Sequence, residues 1–200
     1  QAALGVTVRV PHLSFLSMRG EAKRDYPASI SYQSPWWRDF AHVEDHFARL
    51  ATALTRGKAL SRVAVIHPIE SYWLCYGPEK ESAESKAKLD KSFQKLTDWL
   101  IFGGMDFDFI SEGLLPSQYE PNEDKALHVG AMAYDAVIVP NLETMRSTTL
   151  KILTEFKNRG GKLIFLGDCP KYVDAVASDE VRVLYDSSIH FGSASMPLLD

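Results

Sequence analysis

His67, Glu70 and Ser71 follow directly on the apolar run Val63-Ala64-Val65-Ile66, and Asn141 and Glu143 follow in the same way on Val137-Ile138-Val139-Pro140. An imidazole and carboxylates beside an amide could form a small polar site. A plainer role competes with it, because polar residues at strand ends also satisfy loop backbone groups, and His67 before Pro68 is suited to bonding backbone. Two further groups, Cys75 and Cys169, carry chemistry of their own. Two cysteines are too few for a disulfide framework or a four-thiolate zinc site, so no metal is expected. No cofactor is expected either: no glycine-rich phosphate loop follows an apolar run, and Pro68 and Pro140 stand where free N–H groups would be wanted.

The elements that must position these residues are read from apolar periodicity. Residues 62–66, 134–140 and 162–167 are short uninterrupted apolar runs bounded by proline or glycine, the mark of strands buried on both faces. MDFDFI at 105–110 alternates as a strand does, and so does GVTVRV at 5–10, which ends at Pro11. A weaker strand is expected at Val181 to Leu184, and no pattern is legible beyond Ser187.

Between the strands lie helices. Ser34-Pro35 suits the N-cap and first turn of a helix, with Trp36, Phe40, Val43, Phe47, Leu50 and Leu54 on one face and Gly57 as C-cap. The mixed charges of GPEKESAESKAKLDK read as a solvated loop and first helical turn, continued by Leu89, Phe93, Leu96 and Leu100 as far as Gly103-Gly104. Residues 111–128 read as irregular, and Thr144 to Asn158 as a helix stopped by Gly160-Gly161. Strands alternating with helices in this order imply right-handed crossovers and a parallel sheet covered on both faces.

A chain of 200 residues with 46% hydrophobic content can bury a core. The net charge of −4, with Arg19, Lys23 and Arg24 interleaved with Glu21 and Asp25, argues against nucleic acid as a partner. No apolar run approaches the roughly 18 residues that span a bilayer, so a soluble protein without a membrane role is expected. The start inside Ala2 to Leu4, without an initiator methionine, reads as a piece of a longer protein. That leaves the compartment open, periplasmic or secreted included, should a signal peptide have preceded it.

The succession of an aromatic amphipathic helix ending in RG, then VAVIHPIESYW, a charged helix, DFDFI, YDAVIVPN and GGKLIFLGDCP resembles the domain that follows the catalytic barrel of large glycoside hydrolases. It is similar to the trimerisation domain of family 42 beta-galactosidases and its counterpart in rhamnosidase-like enzymes. The resemblance covers about residues 36–175. It implies a three-layer, flavodoxin-like α/β fold of the class I glutamine amidotransferase type over 59–200. Residues 1–58 would then be the end of a preceding barrel, a strand, loop and helix appended at the N-terminus. His12, Arg19, Lys23, Arg24 and Asp25 would stand on the barrel's active-site side and help bind sugar in the intact enzyme, or form a merely charged surface loop. In a strand order of 2-1-3-4, His67 and Glu70 would face Asn141 and Glu143 across the switch point.

The amidotransferase kinship also implies a test of Cys169. Those enzymes carry a nucleophilic cysteine at a Gly-x-Cys-x-Gly elbow between a strand and a helix. Gly167-Asp168-Cys169-Pro170-Lys171 keeps the first glycine and the cysteine, but Pro170 removes an oxyanion-hole N–H. The second glycine is Lys171, and no His-x-Glu follows, since His190 precedes Phe191 and Gly192. Cys169 is thus a weak catalytic candidate. The function implied is a non-catalytic interdomain or oligomerisation module of a carbohydrate-active glycoside hydrolase, with the remaining domains of that hydrolase or, in a homo-oligomer, further copies of itself as partners, and carbohydrate reached through the parent. The alternative is a cysteine-dependent amidotransferase-like hydrolase using Cys169.

Overall fold

The computed structural model describes residues 1–12, 14–23 and 30–192; Arg24 and Asp25 lie outside the described residues. It divides into two compact units, Gln1–Ala59 and Leu60–Asp200. Among the described residues, no helix is long and apolar enough to cross a membrane.

In the first unit the amphipathic segment forms α1, Phe40–Leu54, entered through a 3-10 turn at Trp37–Asp39. The helix starts later than Ser34-Pro35 would have it. Ser34 instead accepts the N–H of Trp37 through its carbonyl at 3.1 Å, closing a turn before the helix, and Thr55, not Gly57, caps the far end. The strand expected at 5–10 is not formed. Alternation supplies a buried face but no hydrogen-bonding partner, and no strand is present among the described residues of this unit. Arg9 of that segment pairs with Glu44 and stacks on the Phe47 ring at 4.5 Å.

The second unit carries ten short strands and five helices among its described residues: β1 Val63–Ile66, α2 Ile69–Leu74, α3 Glu79–Phe102, β2 Phe107–Ile110, α4 Leu115–Gln118, β3 Leu127–Val129, β4 Met132–Tyr134, β5 Ala136–Val139, β6 Thr144–Met145, α5 Ser147–Asn158, β7 Lys162–Leu166, β8 Tyr172–Val173, β9 Val176–Ala177, α6 Glu180–Asp186 and β10 Ile189–Phe191. Five of them make one parallel sheet in the order β10-β7-β5-β1-β2, with Val65 beside Phe109 on one side and Ile138 on the other. This is the flavodoxin-like α/β fold, and the order at its centre is the expected 2-1-3-4.

Side chains alternate across the sheet. Val65 and Ile138 meet Leu96 and Leu100 of α3 on one face, while Ala64, Ile66, Val137, Val139, Leu163 and Phe165 pack on the other against α4, α5 and α6. The central strands are buried because both faces are used, which is why their sequences show no polar alternation.

Four expectations are corrected here. Val181 to Leu184 belongs to a helix: in a strand Val181 and Val183 would share a face, yet Val181 is buried and Val183 is 77% exposed. The charged run is helical from Glu79 onward. Glu79 and Glu81 lie in the first turn, where the helix dipole favours anions, and Lys86 donates to Glu79 at 2.9 Å. The loop after β1 contains the short helix α2, and residues 111–128 hold α4 and the first strand of the β3–β4 hairpin. Past Ser187 the chain adds a fifth parallel strand, with Ile189 beside Ile164 and Phe191 beside Leu166.

Candidate functional site

In an open parallel sheet the carboxyl ends of the strands are where ligands bind, and here that edge is cross-braced by side chains. Ser71 of α2 is almost fully buried, and its hydroxyl donates to the Thr144 carbonyl at 3.2 Å while accepting the N–H groups of Glu143 and Thr144 at 3.0 and 3.1 Å. One hydroxyl thus ties the loop after β1 to the loop after β5. The Thr144 hydroxyl accepts the N–H of Ala175 at 3.1 Å in the β8–β9 turn, where Asp174 and Ala175 have φ of 50° and 62°. Two successive positive φ values make the tight turn that matches hairpin twist.

A second brace forms around Glu112, two residues beyond β2. Its side chain is only 1% exposed, and Oε2 accepts the N–H of Arg146 at 2.9 Å. Arg146 in turn donates from Nε to Glu70 Oε1 at 2.5 Å. Among the described residues, no hydrogen bond of normal geometry reaches Glu112 Oε1, and the hydroxyl of the fully buried Thr149 stands near enough to favour the charged carboxylate without closing one. Burial pushes the Glu112 carboxyl up to about 7, with the charge of Glu70 adding to the rise and the Arg146 N–H, Thr149 and the Arg146 charge opposing it. Asp174 accepts the N–H of Ser147 at 3.0 Å, and the Ser147 side chain first, with this N–H second, holds its carboxyl below the usual range. Two carboxylates therefore occupy the N-terminus of α5, where backbone N–H groups and the helix dipole welcome them.

The four rim residues are not gathered into one site. His67 lies edge-on to Phe93 and Phe109, at ring separations of 5.4 and 5.8 Å, and burial lowers its pKa. Glu70 is spent on Arg146. Glu143 reaches Lys171 Nζ at 3.6 Å. Asn141 rests on Gly167, where a Cβ would come within 2.7 Å of its Oδ1, and Gly167 also has φ of +97°. His67 borders one cavity of about 200 Å³ beside α3, whereas Asn141 and Glu143 border another of about 330 Å³ with Lys88 and Tyr172. The residues that sequence reasoning missed are Glu112, Arg146, Thr149 and Asp174. The signal for Glu112 was present: it follows β2 as Glu70 follows β1.

Cys169 follows β7, but no helix begins there. The chain runs through Pro170 into the β8–β9 hairpin, so the cysteine is not at a strand-to-helix elbow. Its Sγ lies 3.6 Å from the Pro170 carbonyl and packs on the core, and burial raises its pKa, with Asp186 and Asp179 adding to the rise and Arg182 opposing it. Alkylation of Cys169, followed against pH in a Cys75→Ser background, should accelerate only above the ordinary thiol value of about 8.5. A rate that stays high near pH 6 would show an activated thiolate.

Of the N-terminal candidates, His12 lies in irregular chain, the Arg19 N–H donates to Ser17 Oγ at 3.2 Å, and Lys23 stands 5.8 Å over the Phe15 ring. They are not built on a strand end. Among the described residues, no group of three or more His, Cys, Asp or Glu is placed to hold a metal ion. Compared with known proteins, the chain matches no family model and no curated protein.

Proposed function

We propose that the chain is a non-catalytic interdomain or oligomerisation module from a carbohydrate-active glycoside hydrolase. One observation carries the reading: the acids and bases at the sheet's carboxyl edge are largely spent on internal bracing. Glu70 holds Arg146, Glu112 and Asp174 cap α5, and Glu143, in the loop after β5, reaches Lys171 beyond β7. A glycosidase places two carboxyl groups about 5 to 10 Å apart around a bond they flank, and carboxylates committed to guanidinium and backbone N–H groups are poorly placed for that task. The partners of such a module are the other domains of its hydrolase or further copies of itself. The apolar stripe of α1, with Val43 42% and Leu54 45% exposed and none of the helix's residues buried, is a surface that association would cover.

The test is to assay the chain against a panel of aryl glycosides while light scattering reports its mass. The expected result is background hydrolysis together with a mass above that of the monomer, reduced to the monomer's by Val43→Glu with Phe47→Glu. Turnover abolished by Glu70→Gln or Glu143→Gln would overturn the non-catalytic reading, and a monomer at all concentrations would remove the self-association arm.

A further inference from the structure

Two charged groups near the braced edge remain without an ion pair. Among the described residues, Lys88 on α3 and Asp168 just after β7 make no salt bridge or side-chain hydrogen bond, while Glu70, Arg146, Glu143 and Lys171 are all paired. Lys88 and Asp168 border the same cavity of about 200 Å³, between α3 and the ends of β5 and β7. Its apolar surface is provided by Leu96, Pro140 and Leu166, and Asn141 is held at its floor by the close approach to Gly167. Lys88 and Asn141 also border a second cavity, of about 330 Å³, lined in addition by Glu143 and Tyr172.

We propose that this cleft is a binding site for a small zwitterion, a short amino acid in which a carboxylate and an ammonium flank a few methylenes. The proposal is independent of the hydrolase reading. Both side chains are exposed and solvated; a single-charge ligand could pair with only one of them and a neutral ligand with neither. A ligand bearing both charges can pair with Lys88 at one end and Asp168 at the other, with its methylenes on Leu96, Pro140 and Leu166. Charge-assisted hydrogen bonds are the stronger kind, and each contributes most where water is partly excluded. The cleft lies at the carboxyl edge of the parallel sheet, over the ends of β5 and β7.

The experiment uses the whole chain and amide-resolved NMR titrations with glycine, γ-aminobutyrate and 6-aminohexanoate. Acetate, ethylamine and the neutral polyol xylitol serve as controls. One zwitterion length should shift the amide signals of Lys88, Asn141, Asp168 and Gly192 at concentrations at least tenfold below those at which acetate or ethylamine does. Lys88→Gln and Asp168→Asn should each weaken it about tenfold, the loss expected for one charge-assisted bond. Both substitutions are at surface positions, and an unchanged amide spectrum elsewhere establishes that each variant is folded. The proposal is overturned if no zwitterion shifts these signals, if xylitol binds as well as the best zwitterion, or if both variants keep the parent affinity.

Discussion

Glu112→Gln should make the protein more stable at pH 8 by about 2 to 3 kcal/mol and remove much of the decline in stability between pH 5 and pH 8. The carboxyl is raised from 4.5 to about 7 in the folded chain, chiefly by burial. A raised acid binds its proton more tightly when folded, so its contribution is fully present below about pH 4.5, is lost as pH rises through 7, and is flat above that. The displacement corresponds to roughly 3 kcal/mol. Glutamine keeps an oxygen for the Arg146 N–H and offers an amide to the nearby Thr149 hydroxyl without ever ionising. Urea midpoints of both proteins at pH 5, 6, 7 and 8 measure the difference, and parallel curves would show that Glu112 is not the titrating group. Glu112→Ala should behave differently, losing about 1 to 3 kcal/mol at pH 5 because the buried N–H of Arg146 is then left without an acceptor.

Gly161→Ala should destabilise the second unit by about 3 kcal/mol or more, enough to lower its melting temperature by roughly 10 °C. A Cβ at Gly161 would lie 2.2 to 2.4 Å from three ring atoms of Phe156. That ring is fully buried among Leu153, Leu163 and their neighbours, so it cannot swing aside without displacing the α5–β7 packing. Its neighbour offers the control. Gly160 has φ of +90° with only the flexible Lys125 chain near its Cβ position, so Gly160→Ala should cost about 1 to 2 kcal/mol, the steric penalty of the left-handed conformation. Thermal melts of the two variants should therefore differ clearly. Equal losses would mean that Phe156 accommodates the methyl group.

The Gly160-Gly161 pair illustrates what a sequence can and cannot convey. Its role as the stop between α5 and β7 is local and legible, because glycine ends helices and an apolar run follows. That the second glycine must also accommodate a phenyl ring depends on α5 folding back over the sheet. The three central strands were legible for a similar reason: burial on both faces leaves an uninterrupted apolar run, and no partner need be known to read it. Val181 to Leu184 was misread because four residues with three apolar members suit a strand or a helix equally, and only burial against Phe165 and Val173 decides the period. Residues 67–70 and 141–143 showed where a cleft rim would be, yet not which groups would meet there. Glu112 bonds the backbone of a residue 34 positions away, and Arg146 bonds Glu70 across 76. No spacing rule operates over such distances. By itself the sequence determined the parallel α/β sheet, since strand burial and helix amphipathicity are encoded within a few residues. The tertiary structure alone decided that GVTVRV meets no strand among the described residues, that 189–191 does, and that one buried carboxyl joins the turn after β2 to the start of α5, because each depends on which segments the chain's path brings together.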